Sequence, residues 1–202
     1  MSDNASRVDL DVIVGLIPRG ARVLDLGCGD GDLLAMLAQR KGVKGRGVEL
    51  TEMGVRHCVA RGLSVRQGNI DEGLHDYPTG SFDYVILSQT LPYIENPRAV
   101  LKEMLRVGWQ AIVSFPNVGY WKSRLGLLLK GRLPPDAFSA CPWYEAPRAR
   151  PLSIADFLSF CDSEGVHVVE SIYLNDRGPL KGLAKNSFVA TMGLFVLKSE
   201  PL

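Results

Sequence analysis

A short segment near the amino terminus combines three glycines with several carboxylic acids. Residues 25–31 read Asp-Leu-Gly-Cys-Gly-Asp-Gly, and Asp32 follows directly. Glycine at alternate positions removes side chains where a backbone must turn sharply and approach a ligand closely. A dinucleotide-binding loop would read G-x-G-x-x-G and present a helix N-terminus to a pyrophosphate. This spacing is different, so the segment predicts a tight ligand-binding turn for some other molecule.

The charges on this turn narrow the choice of ligand. Asp25, Asp30 and Asp32 crowd the segment, and two like charges about 4 Å apart repel by about 4 kcal/mol at an effective dielectric constant near 20. A pyrophosphate is therefore disfavoured. S-adenosylmethionine carries a sulfonium, an ammonium and one carboxylate but no phosphate, so nearby acids favour its binding. Glu49, about 20 residues further on, is placed to accept both ribose hydroxyls. These residues predict a site for S-adenosylmethionine or S-adenosylhomocysteine.

The surrounding sequence predicts the elements that hold this turn. An apolar run at 23–26 precedes it, and a helical period of apolar residues follows from Leu33. The continuous apolar run at 82–88 is typical of a central parallel strand covered on both faces. Thr51, Asn96 and Ser153 are placed to cap helices. Strands that alternate with helices predict an α/β, doubly wound, Rossmann-like, mostly parallel sheet, and residues 166–174 and 188–197 are expected to pair as its last two strands.

Length and charge limit the kind of protein that this chain can be. Its 202 residues suit one domain over 1–202, and 23 basic against 22 acidic residues leave a net charge of +1. This balance predicts no nucleic acid partner and no membrane partner. The sequence shows neither a signal peptide nor a long apolar run, so we expect a cytoplasmic protein. Its four cysteines, Cys28, Cys58, Cys141 and Cys161, lack the spacing of a metal site.

The segment at about 116–151 interrupts the alternating order. It is rich in Pro, Gly, Trp and Tyr, and it is too long for an ordinary connection. Residues 120–132 mix a leucine cluster with four cations. We expect an insertion that forms a lid or packs on the domain, and a helix that presents an apolar stripe to a partner is the alternative.

Several longer stretches resemble known families. Residues 23–31, 47–50 and 81–88 are similar to successive motifs of class I S-adenosylmethionine-dependent methyltransferases. Residues 69–74, 81–91, 106–108, 111–117 and 142–144 narrow the resemblance to the MetW family of methionine-biosynthesis proteins. The resemblance implies a seven-stranded sheet whose last strand is antiparallel.

The same resemblance implies roles for individual residues. Asp25 and the loop backbone would hold the methionine part of the cofactor, Glu49 the ribose, Asn69 and Ile70 the adenine, and Ser88 would lie near the methyl group. The complete predicted cofactor set is Asp25, Gly27, Cys28, Gly29, Gly31, Glu49, Leu50, Asn69, Ile70 and Ser88.

Two functional hypotheses follow. The MetW resemblance implies an association with homoserine O-acyltransferase, so the first hypothesis is a subunit that binds the cofactor and supports or regulates that enzyme. The second is a methyltransferase acting on a small molecule. Residues 88–93 lack the Asp/Asn-Pro-Pro-aromatic motif of many nucleic-acid base methylases. We assign no catalytic residue from the sequence.

Overall fold

The computed structural model describes residues 7–131, 148–182 and 186–199. Its α-helices are α1 Val8–Leu16, α2 Asp32–Lys41, α3 Glu52–Ala60, α4 Pro97–Val107, α5 Trp121–Lys130 and α6 Ile154–Ser163. Its strands are β1 Arg22–Leu26, β2 Lys44–Glu49, β3 Val65–Gln67, β4 Phe82–Ser88, β5 Gly108–Pro116, β6 Val166–Asn175, β7 Gly178–Pro179 and β8 Met192–Ser199.

All of these strands form one sheet in the order β3-β2-β1-β4-β5-β8-β6-β7. The first five are parallel, and β8 is antiparallel to both of its neighbours, β5 and β6. The predicted doubly wound α/β fold is therefore confirmed. The expected count of seven strands is wrong, because the polar turn after β6 folds back and Gly178 and Pro179 pair with Asn175 and Leu174. The sheet has eight strands over the described residues.

Alternation along the strands divides the apolar core between the two faces of the sheet. Val23, Ile86 and Ile112 pack with residues of α1 and α2 on one face. Leu24, Leu87 and Val113 pack with residues of α4 and α6 on the other. Covering both faces leaves the two ends of the parallel strands as the places where polar side chains can gather.

Side-chain caps fix the starts of three of the helices. The Thr51 hydroxyl accepts the Gly54 amide at the start of α3, and the Asn96 side chain accepts the Ala99 amide at the start of α4. Ser153 and Asp156 form a capping box at the start of α6. All three predicted caps are confirmed, because short side-chain oxygens satisfy amides that a helix leaves unpaired.

The interrupting segment is described only in part. Residues 132–147, which include the motif at 142–144, lie outside the described residues. Within the described part, Leu127, Leu128 and Leu129 of α5 are exposed, and Leu128 retains 81% of its accessible surface. None of the helices that can be described is both long enough and apolar enough to cross a membrane.

Asn117, just after β5, ties the start of this segment to the domain. Its side chain is buried and donates to the carbonyls of Ser187 and Ala190 at 2.7 and 2.8 Å. Its amide oxygen accepts the Gly119 and Ile154 amides at 3.0 and 3.2 Å. One side chain therefore satisfies four backbone groups from three separate segments.

We expect Asn117→Ala to lower the free energy of unfolding by about 2–4 kcal/mol, because it leaves buried backbone groups unpaired. Urea denaturation followed by circular dichroism measures the change. Asn175→Ala is the matched control, since the Asn175 side chain accepts one exposed backbone amide, that of Arg177. Its expected cost is below about 1 kcal/mol. Equal costs for the two variants would contradict the assigned role of Asn117.

Candidate functional site

The predicted cofactor residues meet at one edge of the sheet. They follow or end β3, β2, β1 and β4, which are neighbours in the sheet, and they lie at the carboxyl ends of these parallel strands. In open α/β sheets this edge is where ligands bind. The fold therefore brings together the positions that the sequence separates by as many as 63 residues, from Asp25 to Ser88.

The glycines of the loop after β1 have distinct steric roles. Gly27, Gly29 and Gly31 all have positive φ angles, of 69°, 53° and 80°. A Cβ atom at Gly27 would lie 2.8 Å from Thr90 Oγ1, and one at Gly31 would lie 2.4 Å from Leu63 Cδ1. At Gly29 a Cβ atom would meet no atom within 4 Å. Gly27 and Gly31 thus permit close packing against Thr90 and Leu63, whereas Gly29 borders open space.

Glu49 connects this loop to the end of β2. Its carboxylate accepts the Gly29 amide at 3.0 Å, and it also accepts the amide and hydroxyl of Thr51 at 2.9 and 2.7 Å. The residue is buried, with 8% of its surface exposed. Each carboxylate oxygen can accept two hydrogen bonds, so Oε2, which accepts only the Gly29 amide, retains capacity for a ligand hydroxyl.

Asp25 is the second acid at this edge, and its environment is different. The residue is 2% exposed, and its carboxylate accepts no hydrogen bond from the described residues. Burial raises the pKa of Asp25 to about 7, an effect that Arg7 opposes and Glu49 reinforces. A buried carboxyl group without a donor is costly, and such perturbed groups cluster at functional sites.

The Cys28 side chain is buried in an apolar cluster with Leu34 of α2 and Cys58 of α3. Its thiol is 3.9 Å from that of Cys58 on α3, and the Cys58 thiol donates to the Gly29 carbonyl at 3.3 Å. Burial raises the pKa of both thiols. The structure therefore brings together two cysteines that are 30 positions apart in the sequence. No group of three or more potential metal-ligating side chains occurs among the residues that the structure describes.

The positions predicted for the adenine lie beside β2 and β3. Leu50 follows Glu49 with 62% of its surface exposed, while Ile70 is buried in the core. The Asn69 side-chain oxygen accepts the Asp71 amide at 3.0 Å and caps a short 3₁₀ helix, Ile70–Glu72. The Asn69 amide nitrogen makes no hydrogen bond within the described part of the chain. An exposed apolar surface and a free donor therefore flank this end of the site.

Ser88 has a partner that the sequence reasoning missed. Its hydroxyl donates to Asp9 Oδ2 at 2.9 Å, and Asp9 on α1 is only 1% exposed. Burial favours the neutral form of Asp9, but hydrogen bonds and charge from Arg7, together with Ser88 and Gln89, hold the pKa of that carboxyl below its ordinary value. The signal was present, since Asp9 lies one helical turn before Ile13 on the buried face of α1.

Gln89 also went unrecognised. It is the one non-glycine residue with a positive φ angle among those described, at 56°. Its amide donates to the Ser114 carbonyl at 2.8 Å, which holds this conformation directly after β4. Residues held in sparsely populated backbone regions are frequent at functional sites.

The assembled edge has a definite chemistry. Open space above Gly29 is bordered by one carboxylate with spare acceptor capacity, Glu49, and by one buried carboxyl group without a donor, Asp25. Such a pair suits a ligand that carries hydroxyls and a positive charge, and it disfavours phosphates.

Two known proteins are similar to this chain in sequence. A bifunctional methionine biosynthesis protein MetXA/MetW from Rhodopirellula baltica is 37% identical over 188 residues, which is 88% of this chain and 30% of that protein. A ubiquinone biosynthesis O-methyltransferase from Dechloromonas aromatica is 34% identical over 123 residues, which is 56% of this chain and 52% of that enzyme. The chain thus spans about a third to a half of the length of these two relatives.

The fold has solved counterparts. One is the crystal structure of an S-adenosylmethionine-dependent methyltransferase from Thermotoga maritima, described as a possible histamine N-methyltransferase. The structural match covers 96% of this chain and 88% of the Thermotoga chain. The TM-score is 0.64 at 20% identity, so the likeness is one of fold. A sequence model of the family described as "Methionine biosynthesis protein MetW" matches residues 7–197, and the chain therefore belongs to the MetW family.

Proposed function

We propose that this protein binds S-adenosylmethionine or S-adenosylhomocysteine and thereby supports or regulates a homoserine O-acyltransferase in the cytoplasm. The observation that carries the ligand proposal is the Asp25 carboxyl group, which is buried at the ligand edge without a hydrogen-bond donor. An ammonium group of the ligand would supply the missing donor and the compensating charge.

The other edge residues fit the remaining parts of the same ligand. The backbone of Gly27, Cys28, Gly29 and Gly31 would pass along the methionine part, and Glu49 would accept the ribose hydroxyls. Leu50, Asn69 and Ile70 would border the adenine, with Leu50 offering an apolar surface and Asn69 a free amide donor. Ser88, at the end of β4, would lie near the sulfonium.

The partner proposal is supported by the MetXA/MetW relative, in which a MetW-like part belongs to a longer bifunctional chain. Fusion places two activities at a high effective concentration, as expected for modules that work together. Regulation follows if the ligand binds free and partner-bound forms with different affinity, because coupling between two sites is reciprocal.

The leucines of α5 form an exposed apolar surface that suits such a partner. Leu127, Leu128 and Leu129 are exposed beside Lys130, and exposed apolar groups rimmed by polar ones are typical of protein contacts. We propose that the segment at 116–151 is an insertion of the single domain and carries this contact, rather than serving only as a lid.

A methyltransferase that acts on a small molecule is the second candidate. It is favoured by an apolar pocket of about 260 Å³ beside the segment after β4, lined by residues that include Leu91, Pro92, Leu152 and Phe157. Its wall includes Arg150, whose amide donates to the Pro92 carbonyl at 2.8 Å. Transfer of a labelled methyl group from S-adenosylmethionine to a cell metabolite would support this candidate.

We expect Gly29→Asp to abolish ligand binding, with affinity at least about 100-fold weaker, because the new side chain occupies the space above the loop. Isothermal calorimetry with S-adenosylhomocysteine measures the loss. Gly20→Asp is the matched control, since Gly20 also has a positive φ, of 71°, and open space around it, but it precedes β1. Equal binding by the two variants would contradict the proposed ligand site.

We expect the purified protein to form a complex with the homoserine O-acyltransferase and to change its rate. Saturating S-adenosylmethionine should shift the Kd of that complex by about 5- to 150-fold, the usual range of allosteric coupling. Gly29→Asp should keep the complex but lose the shift. Sedimentation and acyl-transfer assays measure both, and neither a complex nor a change in rate would contradict the partner proposal.

We expect Asp25 to make stability depend on pH. Because its pKa in the folded protein is raised to about 7 from 3.8, its neutral form stabilises the fold at low pH, and this contribution is lost as pH rises through 7. The Asp25→Asn variant lacks this loss. Its free energy of unfolding relative to wild type should therefore be higher at pH 8 than at pH 5, by on the order of 2 kcal/mol. The same substitution should weaken ligand binding.

Urea denaturation at pH 5 and pH 8 tests this dependence. Asp11→Asn is the control, because Asp11 is an acid on α1 whose side chain is 58% exposed. If wild type and Asp25→Asn change in parallel between the two pH values, Asp25 is not the titrating group.

A further inference from the structure

A cavity of about 480 Å³ lies at the amino edge of the sheet, at the opposite end of the parallel strands from the ligand edge. One wall is the turn at 18–21, which connects α1 to β1. The Gly20 amide donates to the Lys41 carbonyl at 2.9 Å, and the Lys44 amide donates to the Ala21 carbonyl at 3.0 Å. These backbone bonds hold the turn against the end of α2 and the start of β2, so this wall has a fixed position.

Three neighbouring strands supply the floor of the cavity. Tyr84 on β4 is in register with Gln110 on β5. On the other side of β5, Ala111 is opposite Leu197 of β8, and because this pair is antiparallel, Lys198 lies beside Gln110. Side chains of directly opposed residues share one face of a sheet. A phenol, an amide and an ammonium group therefore line the same cavity in a row.

These polar side chains have capacity for a ligand. Within the described part of the chain, neither the Tyr84 hydroxyl nor the Gln110 amide makes a hydrogen bond, and Arg19 and Lys198 form no ion pair. Four side chains that can all donate hydrogen bonds thus border one concave surface without using those donors on the protein.

The cavity also carries an excess of positive charge. Its one acid among the described residues, Asp83, accepts from the backbone amide of Arg22 at 2.8 Å and from the Arg22 guanidinium at 2.7 Å. This pair is neutral as a whole, so the charges of Arg19 and Lys198 are left uncompensated. Such a cavity attracts anions.

Trp109 adds a planar surface to the same cavity. The residue is 68% exposed, and its Nε1 donates to the Gly80 carbonyl at 3.3 Å. The hydrogen bond holds one edge of the indole ring and leaves most of its surface open. Tryptophan, tyrosine and arginine are the residue types that dominate binding energy when a ligand or partner covers them. An indole ring also stacks on other planar rings.

We propose that this cavity binds a small anion that carries a planar ring, of the class of the mononucleotides. The anionic group would be held by Arg19 and Lys198, because guanidinium and ammonium groups both bind phosphate. The ring would stack on Trp109, and Tyr84 and Gln110 would offer hydrogen bonds to the sugar. The volume suits a small molecule. This inference is independent of the proposed function, since the cavity and the ligand edge lie at opposite ends of the strands.

Guanosine monophosphate is the probe, because its base differs from the adenine that the proposed function assigns to the ligand edge. Calorimetry and tryptophan fluorescence should both show saturable binding with a Kd on the order of 100 μM. Guanosine lacks the anion and inorganic phosphate lacks the ring, so each should bind at least about 10-fold more weakly.

Substitutions in the cavity should separate the parts of the site. Arg19→Gln and Lys198→Gln should each weaken binding about 10-fold, because each removes a charged hydrogen bond. Trp109→Ala should weaken it to a similar degree, whereas Trp109→Phe, which keeps a ring, should retain affinity within about 3-fold and lose the fluorescence change. Lys44→Gln is the matched control, since Lys44 is an exposed cation at the same edge that does not line the cavity. It should change the Kd by less than about 2-fold.

Two glycine variants distinguish this cavity from the ligand edge. Gly20 lines the cavity and has open space around it, so Gly20→Asp should weaken binding of guanosine monophosphate at least about 10-fold through repulsion by the new acid. Gly29→Asp should leave this binding unchanged. Circular dichroism confirms that all variants are folded.

Three results would overturn the proposal. The first is a wild-type protein that does not bind guanosine monophosphate. The second is equal binding of phosphate alone, or an equal effect of Lys44→Gln and Lys198→Gln, because either shows only a basic surface. The third is loss of binding in Gly29→Asp, which would place the probe at the ligand edge. Failure of the proposed function leaves all of these outcomes unchanged.

Discussion

The hydrogen bond from the Gly29 amide to the Glu49 carboxylate is the contact on which the geometry of the site depends. It joins the loop after β1 to the end of β2, because the buried Glu49 side chain reaches the Gly29 amide at 3.0 Å. Gly54 at the start of α3 continues the same close packing, since a Cβ atom there would lie 2.8 Å from Glu49 Cγ and 3.0 Å from the Gly29 carbonyl. Loop, strand end and helix start are thereby held as one unit.

Two buried acids on the same face of the sheet have pKa values shifted in opposite directions. Asp9 is surrounded by donors, and its pKa is held below the ordinary value. Asp25 has no donor among the described residues, and burial raises its pKa to about 7. A carboxylate with satisfied hydrogen bonds stabilises the position of a helix, whereas a buried one without them is costly. The first is therefore structural, and the second is the group to which we assign ligand binding.

Membership of the MetW family and a methyltransferase fold describe this protein at two different levels. In open α/β sheets ligands bind at the carboxyl edge, which here is formed by β1, β2, β3 and β4. The fold does not determine whether the proposed ligand is consumed or sensed, because one fold supports many activities. The chemistry of the edge supports the proposed cationic ligand, and the bifunctional MetXA/MetW relative supports the proposed coupling to a second enzyme.

Much of this arrangement could be predicted from the sequence alone. The alternation of strands and helices, the turn at 25–31, Glu49 and the helix caps depend on local spacing, and spacing within a few residues is readable without a fold. The count of strands was wrong by one, because β7 pairs only two residues and no pattern that short is distinct from a turn.

Contacts between distant segments were decided only by the tertiary structure. Asp9 was hidden within an amphipathic helix, and Arg7 lies at its start, yet both reach Ser88 through the packing of α1 across the sheet. Cys28 and Cys58 likewise meet only because α3 packs against the loop. The sequence by itself determined the loop and the helix caps, and it predicted the residues that we propose bind a cationic nucleoside. The tertiary structure decided which charges surround it, because electrostatic energy depends on distances in space and not along the chain.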